Sequence, residues 1–197
     1  NAAPDVKYRT IFLLAIMTGL RQGELLGLKW SDIDFEKKQI HVKRTFNHGR
    51  FFTPKTKESI RKVDFPPILA KELAEWKIAS GQNDLGLVFP SKAGTPIECQ
   101  KLMLRHFIPA LKRAGLPKMR FHDLRHTYAS LMIEQGENIK YVQNQLGHSS
   151  PTVTLDVYAH LMKDSNQEAA CRLQNQIFEG TGHNLVTLSG RKWTLNA

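Results

Sequence analysis

Between Ile33 and Phe65 the hydrophobic period of the chain shortens to two, and no other stretch constrains the fold as much. Ile33-Asp34-Phe35, Gln39 to Thr45, Phe51 to Thr53 and Arg61 to Phe65 alternate apolar and polar residues, as half-buried strands do. Asn47-His48-Gly49 reads as a tight turn, and Pro66-Pro67 closes the window because proline brings no N–H to a ladder. The expectation is a three-stranded antiparallel sheet. Around it the pattern is helical. Residues 6 to 18 read as a buried helix ending at Thr18-Gly19, followed by a short helical stretch through Glu24-Leu25-Leu26, with Arg21 just past the glycine break. Ile68, Leu69, Leu73 and Trp76 mark a helix ending near Gly81. Leu104, Phe107, Ile108 and Leu111 mark another, with Pro109 as a kink or boundary and Gly115 and Pro117 as its stop. A helix from about Asp123 to Gln135 stops at Gly136, and Asn138 caps the next, which ends at Gly147. Ser150-Pro151 reads as cap and first-turn proline of a segment carrying Tyr158, and a last helix spans about Ser165 to Phe178. Leu13, Trp30 and Leu131 are expected in the core. The fold class is mainly α with a small antiparallel β-sheet, an α+β domain.

The chain has 197 residues, 41% of them hydrophobic, enough to offset the entropy of ordering one domain. Residues 1–179 form that domain in this reading, and 180–197, without a period, form a tail that is flexible or docks on another chain. The longest apolar run considered, Ile11 to Met17, is well under the ~20 residues of a membrane helix. No basic segment followed by an apolar stretch marks a secretory signal, and Cys99 and Cys171 have neither zinc-site spacing nor a disulfide framework. A reducing, cytoplasmic setting is the expectation.

Lys and Arg number 28 against 18 Asp and Glu, a formal charge of +10, and the excess is gathered in blocks. Lys37 to Lys62 holds nine basic residues and one acid, Glu58; Lys101 to Arg125 holds seven and one acid, Asp123. Two such blocks suit nucleic acid better than an anionic membrane, which calls for a basic amphipathic helix. Lys43, Arg44, Lys57, Arg105 and Arg120 are candidates for backbone contact.

Neither a phosphate-binding GxxxxGK[ST] loop nor a GxSxG elbow is present. His122 and His126 stand at i and i+4, as in a zinc helix, but Asp123 occupies the place of the usual glutamate and Arg125 would put a cation between the ligands. No metal is expected, and His126 reads as a core or near-core residue. His122 and Arg125, at i and i+3, share a helical face above a helix N-terminus whose unpaired N–H groups would favour an oxyanion.

Thr18-Gly-Leu-Arg21-Gln-Gly-Glu24-Leu, Thr53-Pro-Lys55-Thr-Lys57, His122-Asp-Leu-Arg125-His-Thr, Leu146-Gly-His148-Ser and Thr154-Leu-Asp-Val-Tyr158 resemble, in order, the signature boxes of the tyrosine recombinase or phage-type integrase catalytic domain. The resemblance covers roughly residues 5 to 178. It implies that Arg21, His122, Arg125 and His148 surround a scissile phosphate, that Lys55 reaches in from the hairpin, and that Tyr158 attacks. Glu24 would orient the site rather than act as acid or base. The chemistry fits those roles: two guanidiniums can neutralise a phosphoryl transition state without metal or nucleotide, so no cofactor is expected. His122 is the candidate base for the tyrosine proton, Lys55 the acid for the leaving 5′ oxygen, and His148 a donor to a non-bridging oxygen.

The resemblance further implies double-stranded DNA at attachment sites as substrate, integration or excision of a mobile element, and a homo-tetramer on synapsed DNA from a chain that is monomeric when free. Accessory excision or DNA-bending proteins are candidate partners, and the bacterial nucleoid is the expected location. Members of the family carry N-terminal DNA-binding domains upstream, so the chain reads as a fragment whose own binding is weak and salt-dependent. A type IB topoisomerase-like enzyme and a non-catalytic DNA-binding regulator are the rival readings.

Overall fold

Asp5 opens the first helix, α1 (Val6–Thr18): its carboxylate accepts the Lys7 N–H at 2.9 Å, and Gly19, left-handed at φ 62°, closes it. The computed structural model describes residues 5–53, 59–148, 150, 171 and 174–175. The chain divides into two units, Asn1–Leu161 and Met162–Ala197, and every element named below lies in the first. In the second, Cys171, Gln174 and Asn175 are helical. The remainder of the expected Ser165–Phe178 helix, Pro151 after the described Ser150, Lys55, Lys57, Tyr158 and the 180–197 tail lie outside the described residues.

After α1 come α2 (Gln22–Leu26) and a single 3-10 turn, Trp30–Asp32. The strand region follows as β1 (Ile33–Asp34), β2 (Gln39–Val42), β3 (Thr45–Asn47), β4 (Arg50–Phe52) and β5 (Arg61–Asp64). A three-stranded antiparallel sheet is present, ordered β1-β2-β5, and its register aligns Ile33, Ile40 and Val63 in one buried row. The Phe51 to Thr53 run does not join it. Phe51 and Phe52 instead pair with Phe46 and Thr45 in a separate hairpin, β3–β4, whose turn residues His48 and Gly49 both have positive φ. Between the two sheets the ladder is interrupted at Lys43 and Arg44, whose side chains turn onto the buried carboxylate of Asp32.

The rest is helical: α3 (Pro67–Ser80), α4 (Cys99–Leu102), α5 (Ile108–Arg113), α6 (Asp123–Glu134) and α7 (Ile139–Leu146). Helix α1 packs between α3 and α6, and its buried residues Ile11, Leu14 and Ala15 join Leu69, Leu73, Phe89, Phe107 and Phe121 in the main core. Pro109 offers no N–H to the preceding turn, and between α4 and α5 the ladder loosens to a π turn, Met103–Phe107, in which the Ile108 N–H reaches Met103 O. The extra residue rotates Leu104 to the surface, and Leu102, Phe107 and Leu111 fill the core positions. Leu131 is also exposed, because α6 buries the face carrying Leu124, Arg125, Tyr128, Ala129 and Ile133; Leu13 and Trp30 are half-buried against the core. Asn138 caps α7 by accepting the N–H groups of Lys140 and Tyr141.

Tyr128 and Ala129 of α6 pack on Val142 and Leu146 of α7. Asp64, at the end of β5, takes hydrogen bonds from Gln39, Tyr141 and Gln145. These contacts hold α7 against the end of β5 and the middle of α6.

Candidate active site

A helix leaves its last carbonyls without intrahelical partners and its C-terminal end partly negative, a natural place for cations. At the end of α7 three consecutive carbonyls are each taken by a different arginine. Arg61 Nε donates to Gln145 O at 2.6 Å, Arg125 Nη2 to Leu146 O at 2.5 Å, and Arg21 Nη2 to Gly147 O at 3.1 Å. The next residue is His148, whose N–H and C=O both bond to Gln143. Residues from the α1–α2 corner, β5 and α6 are thereby gathered around one helix end. Gly147 makes the approach possible: it is left-handed at φ 64°, and a Cβ there would lie 2.8 Å from Arg61 Cδ.

Glu24 is the shared counter-ion. Its carboxylate accepts from Arg21 Nη1 at 2.9 Å, from the Arg21 backbone N–H at 2.8 Å, and from both terminal nitrogens of Arg61 at 2.9 and 3.0 Å. Burial acts to raise its pKa, but the hydrogen bond and charge of Arg61, with the charge of Arg21, outweigh burial and hold it below the ordinary carboxyl value. Three guanidiniums against one carboxylate leave a surplus of positive charge.

Arg125 is only 3% exposed, and Gly19 O accepts from its Nη1 at 2.7 Å. Burial, with Arg21 and Arg61 nearby, lowers its pKa to about 9, so it stays protonated at neutral pH. Each of Arg21 and Arg125 spends only some of its five donors on the scaffold. Burial and the charges of Arg125, Arg21 and Arg61 bring the His148 pKa down to about 4. His122, the N-cap of α6, is lowered by desolvation and by His126, Arg125 and Arg21. Both imidazoles are therefore neutral at pH 7, able to accept or relay a proton rather than add charge.

Arg21, His122, Arg125 and His148 are thus brought together; Lys55 and Tyr158 lie outside the described residues. Two expectations change. The N–H groups beneath His122 and Arg125 are not open to an oxyanion: those of Asp123, Leu124 and Arg125 already bond to Arg120 O, Phe121 O and His122 O. The donors facing the site come from side chains. His126 is exposed, its ring edge-on to His122 at 4.9 Å, because α6 buries the opposite face. Among the candidate DNA contacts, Lys43 and Arg44 pair with Asp32, Arg120 pairs with Asp123 while remaining exposed, Arg105 is exposed in the π turn, and Lys57 is not described. Arg61 carries a structural part of the site that the sequence hid as one of nine basic residues in its block.

Beside Arg21 and Glu24 opens a cavity of about 750 Å³ whose other walls include Asn47, His48, Phe51 and Phe52 of the hairpin. The arrangement can hold a tetrahedral oxyanion between guanidiniums and neutral imidazoles, with room for a larger group next to it.

This fold and site define a known class of DNA-processing domain. The sequence model of the phage integrase family matches residues 1–165, and the chain belongs to that family. A tyrosine recombinase XerC-like protein of Caldanaerobacter subterraneus subsp. tengcongensis is 39% identical over an alignment covering 87% of this chain and 50% of that protein. The ICEBs1 integrase of Bacillus subtilis is 36% identical, with 85% and 49% covered. The chain spans about half the length of these relatives. In structure it is similar to the Tn1549 transposon integrase solved with circular intermediate DNA, at a TM-score of 0.72 and 25% identity over 87% of this chain and 60% of that one. It is also similar to the XerA recombinase, at a TM-score of 0.65 and 26% identity, with 88% and 57% covered. Among the described residues no helix is long and apolar enough to cross a membrane.

Proposed function

We propose that this chain is the catalytic part of a site-specific DNA recombinase that cuts and rejoins strands through a covalent 3′-phosphotyrosine. The observation that carries the reading is the seating of Arg21 and Arg125 on adjacent carbonyls, Gly147 O and Leu146 O, beside His148. A phosphodiester held there meets two fixed cations, and the second negative charge that develops during displacement falls where the surplus positive charge already lies. Tyr158 Oη attacks phosphorus and the P–O5′ bond breaks. The tyrosine proton passes to His122, which is neutral and free to take it, and Lys55 protonates the departing 5′ oxygen. His148 donates its single N–H to a non-bridging oxygen. The phosphotyrosyl bond keeps the energy of the diester, so a 5′ hydroxyl of a partner strand reseals it without ATP.

Double-stranded DNA as the ligand is supported by the basic blocks and by the structural relatives solved on DNA. The names of the relatives, recombinases and integrases, favour strand exchange over relaxation or passive binding. Assembly as a tetramer on synapsed sites, accessory DNA-bending or excision partners and a nucleoid location complete the proposal, with residues 1–179 as the catalytic domain and 180–197 as its tail. The test is covalent trapping on a nicked suicide duplex bearing a candidate site, with excess EDTA and no ATP. Wild type should form a protein–DNA adduct that Tyr158→Phe does not form. An adduct with the mutant would remove Tyr158 from the mechanism.

A further inference from the structure

We propose that the β3–β4 hairpin is a base-stacking lip of the site, and that Phe52 receives on its ring a nucleobase flanking the phosphate held by Arg21. The inference rests on the DNA-cleaving reading above and names how the site engages the rest of the nucleotide. All three residues of β4 are exposed, Phe51 and Phe52 to 40% and 47%. Two neighbouring exposed aromatic rings form an apolar patch of the kind that marks interaction sites. Both rings line the cavity, but their neighbours differ. Phe51 is partnered: its ring centroid is 5.2 Å from that of buried Phe46, and Lys29 Nζ stands 5.9 Å from it. For Phe52 no ring or cation partner occurs among the described residues.

Phe52 and Arg21 are walls of the same cavity, together with Thr45, Asn47, His48, Phe51 and Thr53. A space that runs from a guanidinium to an open aromatic face fits a molecule with an anion at one end and a flat π-surface at the other, which is the chemistry of a nucleotide unit. Among the described residues the one carboxylate on its wall is Glu24, which is already engaged by Arg21 and Arg61. The hairpin itself adds Arg50 at its tip and no acid. Stacking on Phe52 requires the base to leave its own stack, so the hairpin would favour DNA already opened beside the cut, as aromatic and apolar wedges do elsewhere.

Phe52→Ala and Phe52→Trp, both at an exposed position, test this in the full chain, with circular dichroism to show that each is folded. The probes are a short mixed-sequence duplex and the same duplex with a one-nucleotide gap, at low salt. Phe52→Ala should bind the gapped duplex about 5- to 150-fold more weakly, the scale of one lost stacking contact. Its salt dependence should equal that of the wild type, because phosphate contacts are untouched. The indole emission of Phe52→Trp should be quenched on DNA beyond the change shown by the natural tryptophans. Affinity within twofold of wild type together with no added quenching would overturn the proposal. Failure of the wild type to bind either duplex would overturn the DNA reading itself, and this inference with it.

Discussion

Replacing Arg61 with methionine removes a buried cation and leaves its partner behind. The side chains of Arg61 and Glu24 are each only 6% exposed, and the substitution deletes two charge-assisted hydrogen bonds to Glu24 and one each to Gln145 O and Ser59 O. Stripping one partner from a buried ion pair costs about 3–5 kcal/mol, mostly for the charge left uncompensated. Arg21 still contacts Glu24 through Nη1 and its backbone N–H, so the lower end applies, about 3 kcal/mol. Glu24→Gln removes the orphaned charge and keeps the shape. The double variant should therefore be more stable than the two single losses added together predict, by roughly 0.5–3 kcal/mol of coupling. Urea unfolding at neutral pH of wild type, both single variants and the double variant gives all four corners of the cycle.

Acid supplies an independent check. Glu24 has a lowered pKa when folded, so its contribution is present above the unfolded carboxyl value of ~4.3 and is lost as pH falls through the folded one. The gap between wild type and Arg61→Met should narrow over that same fall. A loss under about 1 kcal/mol for Arg61→Met, or strict additivity in the cycle, would refute Glu24–Arg61 as the keystone of the site.

Gly147→Ala forces a left-handed φ of 64° on a residue with a Cβ and drives it against Arg61, which should cost about 1–3 kcal/mol in thermal or urea unfolding. His148, lowered to about 4, refuses a proton that the unfolded chain accepts below an ordinary imidazole value of ~6.5. Stability should thus fall as pH drops through that window, His122 pulling the same way, and His148→Gln should flatten the slope; identical slopes would contradict the shift. Arg125→Ala should slow single-turnover cleavage about 10²–10³-fold, the scale of one oxyanion donor, and a near-wild-type rate would deny Arg125 that role.

The helices were largely legible because their ends are written locally. Gly19, Gly81, Gly136 and Gly147 stop chains that cannot otherwise turn left-handed, and Asn138 announces α7 by its own hydrogen bonds. Strand partners were less so: alternation marks Phe51 and Phe52 as extended but says nothing about whether they pair with β2 or form their own hairpin. The same limit hid Arg61, since nothing adjacent to it distinguishes a guanidinium bound to a distant glutamate from one in water. The exposure of His126 and Leu131 follows from which side of α6 meets α1 and α7, a matter of packing between elements. Order and spacing of the boxes marked Arg21, His122, Arg125 and His148 as a group, and the structure brings those four together at one helix end.

The three carbonyls that seat the arginines come late in the chain, whereas Arg21 and Arg61 come early. A polypeptide still emerging from the ribosome therefore has its guanidiniums long before it has anything to aim them. Until Gly147 is made and packed, Arg21 and Arg61 are ordinary basic residues that can touch a phosphate but cannot fix it in place. A half-finished chain carries the cations of the site without the helix end that aims them.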